Sequence, residues 1–286
     1  MIAIIGGDGQ LGQDLLKTLA PREARPVSHS ELDITDRERT LRVVEKMKPD
    51  WIINAAAMTN VDLCETENTR AFEINALGAR HLAEASRSTG ARLIQIGTDY
   101  VFDGTKDGPY IETDMPHPIN AYGITKLAGE LYTTYLNKNH YLVRTSGLYG
   151  LHPCRGKGGK NFIDTMLGAA SKNDSLRIVA DEVLTPTFTE DLATQIDKMI
   201  EAEPPFGTYH ATNSGQCSWF EFAEAIFEKS GVKITLEKTT AAEWGAPARR
   251  PAYSVLANTA LLAQGIDIMP AWEDALGRYL VKKLDS

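Results

Sequence analysis

The chain has 286 residues, 43% of them apolar, and a formal net charge of −8. This length is enough for one large domain, or for a nucleotide-binding core with a smaller lobe, and the apolar content excludes a disordered chain. The acidic balance argues against a nucleic-acid-binding protein, which needs a basic face. The three cysteines form no CxxC pair, which argues against a disulfide framework or a zinc site.

The apolar N-terminal residues 1–6 lack a basic leader and are too few to form a signal peptide or a membrane span. No other stretch approaches membrane-spanning length. We therefore expect a cytoplasmic protein with free thiols and no membrane partner.

The first half of the chain alternates short apolar runs with longer amphipathic ones. The patterns predict strands at 2–5, 25–27, 51–54, 93–97 and 141–144, and helices at 11–19, 35–47, 71–88 and 119–136. The second helix is expected to open on a capping box formed by Thr35 and Glu38. This alternation predicts an α/β fold with a Rossmann-type, doubly wound parallel sheet, and residues 1–150 as the dinucleotide-binding domain that carries the catalytic residues.

The regular alternation of predicted strands and helices ends at about residue 150. Helices are predicted at 162–170, 191–200 and 274–283, and another begins at a capping box of Ser218 and Glu221 and runs to about 229. We expect residues 151–286 to form mainly a smaller, mixed α/β substrate lobe, with some segments completing the core. The glycine- and lysine-rich segment 155–160 is either a solvated loop or a flexible site for a phosphate-bearing ligand.

A glycine-rich turn follows the first predicted strand. Gly6, Gly9 and Gly12 form GxxGxxG, and Gln10 and Leu11 open the next helix. Glycines at this spacing permit a tight turn, close approach of the backbone to a pyrophosphate, and tight helix packing. The amino terminus of the helix favours the phosphate charge. The turn therefore predicts a dinucleotide site.

The residue that contacts the adenosine ribose should lie about 20 residues past the turn. Ser28 or His29 occupies that place, with no carboxylate to repel a 2′-phosphate. We predict NADPH as the cofactor, with NADH also accepted. Further on, Asp33 and Ile34 either flank the adenine or form a helix-entry turn.

A third pattern predicts acid–base chemistry. Tyr122 and Lys126 are spaced to share one helix face. A nearby ammonium favours the phenolate, so we expect Lys126, acting together with the nicotinamide cation, to lower the pKa of Tyr122 from about 10. Thr98 ends the fourth predicted strand, where ligands bind in open α/β sheets, and its hydroxyl can polarise a carbonyl oxygen.

Together these motifs resemble the extended short-chain dehydrogenase/reductases and, within them, the dTDP-4-dehydrorhamnose reductase family. The similarity covers nearly the whole chain. It rests on GGDGQLG at 6–12, LDITD at 32–36, NAAAMTNVD at 54–62, GTDYVFDG at 97–104, NAYGITKLAGE at 120–130, RTSGLYG at 144–150, KNF at 160–162, TPT at 185–187, SWFEFA at 218–223 and RRP at 249–251.

The resemblance implies NAD(P)H-dependent reduction of the C4 ketone of a dTDP-6-deoxy-4-keto-hexose, with dTDP-L-rhamnose as the product. It implies catalytic roles for Thr98, Tyr122 and Lys126, with Tyr122 donating the proton and Lys126 also holding the nicotinamide ribose. It also adds Ala55, Ala56 and Ala57 to the cofactor site. The substrate residues that it implies are Thr98, Tyr100, Tyr122, Gly147, Asn161, Phe162, Thr187, Arg249 and Arg250.

Several of these readings have alternatives. Arg249 and Arg250 either bind the diphosphate or are paired surface arginines. Some members of the family are metal-dependent dimers, so the resemblance admits a homodimer. Asp14 and Glu190 match acidic positions there, but we read them as a solvated helix face and predict no metal.

Two positions depart from the family pattern. Gly147 stands where a tryptophan is usual, and Gly97 where a serine is usual. One hypothesis is that Gly147 leaves open space beside the sugar, so that adding an indole there would tighten the complex. The other is that Tyr149, Phe162 or Tyr100 fills this space.

Two other functions remain as alternatives. A nucleotide-sugar 4-epimerase of the same superfamily shares the threonine, tyrosine and lysine but retains tightly bound NAD. A non-catalytic regulatory subunit, like that of methionine adenosyltransferase, resembles the same family.

Overall fold

In a computed structural model, residues 1–154, 156 and 158–284 are described. Six parallel strands form the central sheet, and their order across the sheet is Gly207–His210, His140–Thr145, Arg92–Thr98, Trp51–Asn54, Ile2–Ile5 and Ala24–Val27. The strands are β1 (Ile2–Ile5), β2 (Ala24–Val27), β3 (Trp51–Asn54), β4 (Arg92–Thr98), β5 (His140–Thr145) and β10 (Gly207–His210). The predicted doubly wound α/β fold is confirmed.

Helices cover both faces of this sheet, which explains why β1 and β3 are buried along their whole length and apolar except for Asn54. On one face α1 (Gln10–Thr18) packs against α8 (Thr189–Ala202). The other face is covered by α2 (Arg37–Met47), α5 (Ala79–Thr89) and α6 (Ala121–Leu136). The second half of the chain therefore contributes β10 and α8 to the core.

The remaining strands are short and lie outside the central sheet. They are β6 (Leu148–Tyr149), β7 (Ser175–Val179), β8 (Val183–Leu184), β9 (Thr187–Phe188), β11 (Cys217–Ser218) and β12 (Thr235–Thr239). They pair as β6 with β9, β7 with β12, and β8 with β11. With the nearby helices they form a mixed α/β lobe beside the carboxyl edge of the sheet.

The other helices are α3 (Val61–Thr66), α4 (Asn68–Phe72), α7 (Phe162–Ala170), α9 (Trp219–Ser230), α10 (Ala241–Trp244), α11 (Thr259–Ala263) and α12 (Trp272–Leu284). Aromatic side chains from α9 and α12 pack with Tyr149 and Phe188 in the core of the lobe. Within the described residues, no helix is both long enough and apolar enough to cross a membrane.

One prediction of local structure was wrong. The capping box of Thr35 and Glu38 does not form, because Asp36 caps α2 by accepting from the Arg39 amide while Thr35 donates to Asp33. The stretch predicted at 71–88 is helical, with a π-helical segment at Glu73–Gly78 between α4 and α5. Within this segment, the Asn75 side chain accepts from the Met58 amide and donates to the Met58 carbonyl. The capping box of Ser218 and Glu221 is confirmed.

Candidate active site

A cavity of about 490 Å³ opens at the carboxyl edge of the sheet. We call it the main cavity. It runs from the glycine turn past Thr98 and Tyr122 to Phe162 and Trp219. A second cavity of about 510 Å³ adjoins it and shares Phe162, Glu182 and Trp219. The two together could accommodate a dinucleotide and an elongated substrate.

The glycine turn has the close packing that its sequence predicts. Gly6 has φ +75°, and a Cβ there would lie 2.9 Å from the Ala56 amide nitrogen. A Cβ on Gly12 would lie 2.3 Å from the Gly6 carbonyl oxygen, so Gly12 permits tight packing and does not line the cavity. Gly9 caps α1 and lines the cavity. The backbone is therefore open where a pyrophosphate would approach.

Other residues predicted to bind the cofactor also line the main cavity. They are Gln10, Leu11, Ala55, Ala56, Ala57, His29, Asp33 and Ile34. The side chain amide of Gln10 donates to the carbonyls of Gly150 and His152, so it also ties α1 to the loop after β6.

Ser28 does not line the cavity, because its hydroxyl is hydrogen-bonded to Ser30 and accepts from the Glu31 amide. His29, by contrast, lines the main cavity. Asp33 lines the cavity and accepts from the amide and hydroxyl of Thr35 in the turn before α2, while its contact with the adenine stays a prediction. Burial raises the pKa of Asp33, but these hydrogen bonds outweigh it, so the net shift is downward.

Thr98, Tyr122 and Lys126 lie together in the wall of the main cavity. The Thr98 hydroxyl is hydrogen-bonded to the Tyr122 hydroxyl. Thr98 and Lys126 are each 5% exposed, and the Lys126 ammonium donates to the Ile96 carbonyl at 2.7 Å. The end of β4 and one face of α6 therefore bring the three predicted catalytic side chains together.

In the chain without a dinucleotide, Lys126 does not lower the pKa of Tyr122. Burial raises the pKa of Tyr122, and the Thr98 hydrogen bond offsets this only in part. Burial also lowers the pKa of Lys126 to about 8, while the charge of Glu130 opposes that shift. Burial wins because the cavity wall removes both groups from water.

Gly97 lies next to a buried ion pair that the sequence analysis missed. The Arg144 guanidinium donates to Glu130 at 2.9–3.3 Å. A Cβ on Gly97 would lie 2.6 Å from Glu130 Oε1 and 2.9 Å from Arg144 Cγ. The available signal was weak: Glu130 follows Lys126 by four residues, one turn along the same helix face.

The predicted substrate residues divide into two groups. Tyr100, Phe162, Asn161 and Gly147 line the main cavity. Asn161 also caps α7 and donates to the Gly150 carbonyl. Thr187 does not line either cavity, because it is fully buried in β9, where its hydroxyl faces the Thr185 carbonyl.

Arg249 and Arg250 line the second cavity. Arg250 is not an ordinary surface arginine, because its side chain is only 21% exposed and donates to both carboxylate oxygens of Asp62 at 3.0 and 3.1 Å. Asp62 also accepts from the Ala248 amide at 3.1 Å. The NAAAMTNVD and RRP motifs therefore meet at the second cavity.

The space beside Gly147 is neither open nor filled by an aromatic ring. Gly147 has φ +55°, and a Cβ there would lie 2.8 Å from Leu184 Cδ1 and 3.1 Å from the Thr185 carbonyl oxygen. The expectation of open space was wrong, because Leu184 from β8 occupies it.

Sequence analysis also missed Glu182 and Trp219, which line both cavities. The Trp219 side chain hydrogen-bonds Glu182, and the Arg250 charge partly offsets the upward effect of burial on the pKa of that carboxyl. No local pattern marks Glu182, whereas Trp219 was part of a motif to which we assigned no role.

Segment 155–160 contributes Gly156 to the main cavity, while Arg155 and Lys157 lie outside the described residues. In the described part of the chain, no group of three or more histidine, cysteine and acidic residues could hold a metal ion. The prediction that Asp14 lies on a solvated helix face was wrong, because Asp14 is 3% exposed and accepts from the Thr189 hydroxyl at 2.5 Å. Glu190 pairs with Lys282.

Several proteins of known sequence or structure are similar to this chain over nearly its full length. A dTDP-4-dehydrorhamnose reductase from Clostridium acetobutylicum has a TM-score of 0.94 at 41% identity, covering 100% of this chain and 99% of that one. A dTDP-4-dehydrorhamnose reductase from Bacillus anthracis, in complex with NADP, has a TM-score of 0.93 at 41% identity, with 98% of each chain covered. The spore coat polysaccharide biosynthesis protein SpsK of Bacillus subtilis is 39% identical, covering 99% of this chain and 97% of that protein.

The model of the RmlD substrate binding domain family matches residues 1–284. This match covers almost the entire chain, and it agrees with the glycine turn, the cavity and the full-length similarity to the two reductases. The chain belongs to the RmlD substrate binding domain family.

Proposed function

We propose that this protein catalyses the NADPH-dependent reduction of dTDP-4-dehydro-L-rhamnose to dTDP-L-rhamnose. The observation that carries the proposal is the position of Thr98, Tyr122 and Lys126 in one cavity with the glycine turn. The two similar reductase structures support it, and one of them contains NADP. The cytoplasm remains the predicted compartment, and a homodimer remains a prediction.

The cofactor site fits a dinucleotide because its backbone is exposed. A Cβ on Gly6 or Gly12 would collide with backbone atoms, so glycine alone permits this turn. The amides at the start of α1 would hold the pyrophosphate, and His29 would lie near the adenosine ribose. Lys126 would hold the nicotinamide ribose.

The reaction needs one hydride and one proton. Bound NADPH supplies the hydride that reduces C4. The Tyr122 hydroxyl donates its proton to the carbonyl oxygen, which becomes the C4 hydroxyl of the product, and solvent returns a proton to Tyr122. The raised pKa of Tyr122 keeps the phenol protonated before the reaction. Thr98 orients this phenol and polarises the carbonyl.

The two adjoining cavities suggest how the substrate lies. The sugar would occupy the main cavity beside Tyr122, and the nucleotide would occupy the second cavity. Arg250 and Arg249 would bind the diphosphate between them through charge-assisted hydrogen bonds. The shared wall of Phe162 and Trp219 would contact the substrate at the junction.

The test is a turnover assay with dTDP-4-dehydro-L-rhamnose and either NADPH or NADH, alongside UDP- and GDP-linked 4-keto sugars. We expect stoichiometric loss of NADPH with formation of dTDP-L-rhamnose, and slower turnover with NADH. NAD that stays bound through dialysis, together with sugar interconversion without net NADPH loss, would identify an epimerase instead. Absence of turnover with every sugar, together with co-purification of a larger synthetase, would favour the regulatory subunit.

Tyr122→Phe is the matched variant for this assay. We expect turnover to fall by about a hundredfold or more, the usual scale for an acid–base residue, because the ring remains while the proton is lost. The affinity for NADPH, measured by fluorescence titration, should change little. Turnover near that of the unmodified protein would remove Tyr122 from the mechanism.

A further inference from the structure

Leu184 supplies the wall of the main cavity beside Gly147. Both residues line the cavity that contains Thr98 and Tyr122, and Leu184 is 5% exposed. Leu184 Cδ1 lies where a side chain at position 147 would have to pass. The positive φ of Gly147 disfavours any side chain there, so the wall at this point is leucine.

Hydrogen bonds hold Leu184 in a defined place relative to Thr98. Its strand β8 pairs with β11, and Val183 exchanges backbone hydrogen bonds with Ala252 and Ser254 at 2.8 Å each. The Ser254 side chain bonds Asp99, the residue after Thr98. Leu184 is therefore part of a fixed wall, and a mobile loop would not give the same positional control.

The chemistry of this wall restricts the substituents that the sugar can place against it. A hydroxyl packed against leucine would lose its water without gaining a partner. Glu182 lies two residues earlier, but its carboxylate already bonds the Trp219 side chain and faces Arg250. Two carbons flank the reacting C4 of a 6-deoxy-4-keto-hexose. C3 carries a hydroxyl and C5 carries a methyl, so the methyl is the group suited to Leu184.

We propose that Leu184 is a specificity-determining residue that selects 6-deoxy sugars over their 6-hydroxy counterparts by packing against the C5 methyl group. This inference rests on the proposed function. Leu184 lies outside the catalytic trio. It would discriminate between a methyl and a hydroxymethyl group, whose carbon lies two bonds from the reacting carbon.

The experiment measures the affinity of dTDP-L-rhamnose and of dTDP-L-mannose, its 6-hydroxy counterpart, by calorimetry in the presence of NADP⁺. We expect the unmodified protein to prefer the 6-deoxy sugar by about tenfold to a hundredfold, the range that an apolar pocket achieves against an added hydroxyl. Leu184→Asn, which is similar in size but polar, should reduce this preference to about twofold or less. Leu184→Met, which stays apolar, should keep it.

Two controls separate specificity from folding. The thermal stabilisation by NADP⁺ should be the same in all variants, because Leu184 lies at the sugar end of the cavity. Leu262→Ala, on an exposed side chain of α11, should leave the sugar preference unchanged. A Leu184→Asn protein that binds NADP⁺ and still prefers the 6-deoxy sugar as strongly as the unmodified protein would overturn the proposal.

Failure of the proposed function would give a different result. If the unmodified protein binds NADP⁺ but neither dTDP sugar, the proposed substrate class is wrong and the inference about Leu184 is overturned with it. If the unmodified protein binds both sugars equally, only the role of Leu184 is overturned, because the reductase function does not require discrimination at C6.

Discussion

At the scale of single residues, the burial and the pKa values of Tyr122 and Lys126 differ most from what the spacing of these residues predicts. The motif placed them on one helix face, but it did not reveal that both lie in a buried wall. Burial keeps the phenol protonated and destabilises the charged form of Lys126. Binding of the nicotinamide ribose would give the Lys126 ammonium new hydrogen-bond partners. This would offset part of the free energy that is needed to bury the charge, and it would therefore favour cofactor binding.

Comparison with Lys126→Met should reveal how much the buried charge of Lys126 lowers the unfolding free energy. The pKa of Lys126 is about 8 in the folded chain, against roughly 10.4 when unfolded. Between these values the unfolded chain holds more protons, so folding becomes more favourable as pH rises. Relative to Lys126→Met, the unmodified protein should gain about 1 kcal/mol of unfolding free energy from pH 7 to pH 9.

Urea unfolding of both proteins at the two pH values measures this difference, and the subtraction cancels groups that titrate in both. The variant should also lose most of its affinity for NADPH. A difference that is constant with pH would mean that Lys126 keeps its ordinary pKa.

Gly147→Trp tests the steric conclusion at the other end of the cavity. The added side chain meets Leu184 and the backbone of Thr185 and Pro186, and its φ of +55° is unfavourable for any side chain. We expect a loss of about 2 kcal/mol or more in unfolding free energy and lost activity on every sugar.

Gly168→Ala is the matched glycine substitution, because its Cβ would point into open space on α7 and its φ is helical. It should be neutral or stabilising by up to about 1 kcal/mol. Improved binding of dTDP-L-rhamnose by Gly147→Trp would restore the open-space hypothesis.

At the scale of elements, strong periodic patterns predicted type and approximate position, while the ends depended on individual hydrogen bonds. The helix at 162–170 has its predicted bounds, because Asn161 and Asp164 form a capping box at its start. The π turn at Glu73–Gly78 could not be predicted. It depends on the tertiary hydrogen bonds between Asn75 and Met58, which lie outside any local pattern.

The start of α2 gives a test at this scale. Asp36→Ala removes the side chain that accepts from the Arg39 amide, and it should cost about 1 kcal/mol of unfolding free energy. Glu38→Ala removes the residue that the rejected capping box would have used, and it should change stability by less than about 0.5 kcal/mol. Chemical denaturation of the two variants compares them directly, and an equal or larger loss in Glu38→Ala would reinstate the box.

At the scale of the whole molecule, contacts between distant segments create the second cavity. Arg250 and Asp62 are 188 positions apart, yet their ion pair joins the start of α3 to the segment before the RRP proline. This contact brings a cofactor-side motif and a substrate-side motif to one place. It also leaves Arg250 buried enough for its hydrogen bonds to be strong.

Arg250→Ala should weaken dTDP binding by about tenfold or more, because a charged hydrogen bond to a diphosphate is worth roughly 1.5–3 kcal/mol. Calorimetry with dTDP and with thymidine locates the effect, since only dTDP carries the diphosphate. Arg42→Ala, an exposed arginine on α2, serves as the charge-matched control. Equal weakening of dTDP and thymidine would place Arg250 away from the diphosphate.

Local patterns of residues were enough to predict the alternating α/β order, the glycine turn and the shared helix face of Tyr122 and Lys126. Each depends on residues within a few positions of one another, where periodicity and glycine geometry act directly. Local patterns did not predict that Leu184 fills the space beside Gly147, that Arg250 pairs with Asp62, or that β10 completes the sheet. These depend on close packing between segments far apart in the chain, and the packing is fixed only when the whole core forms.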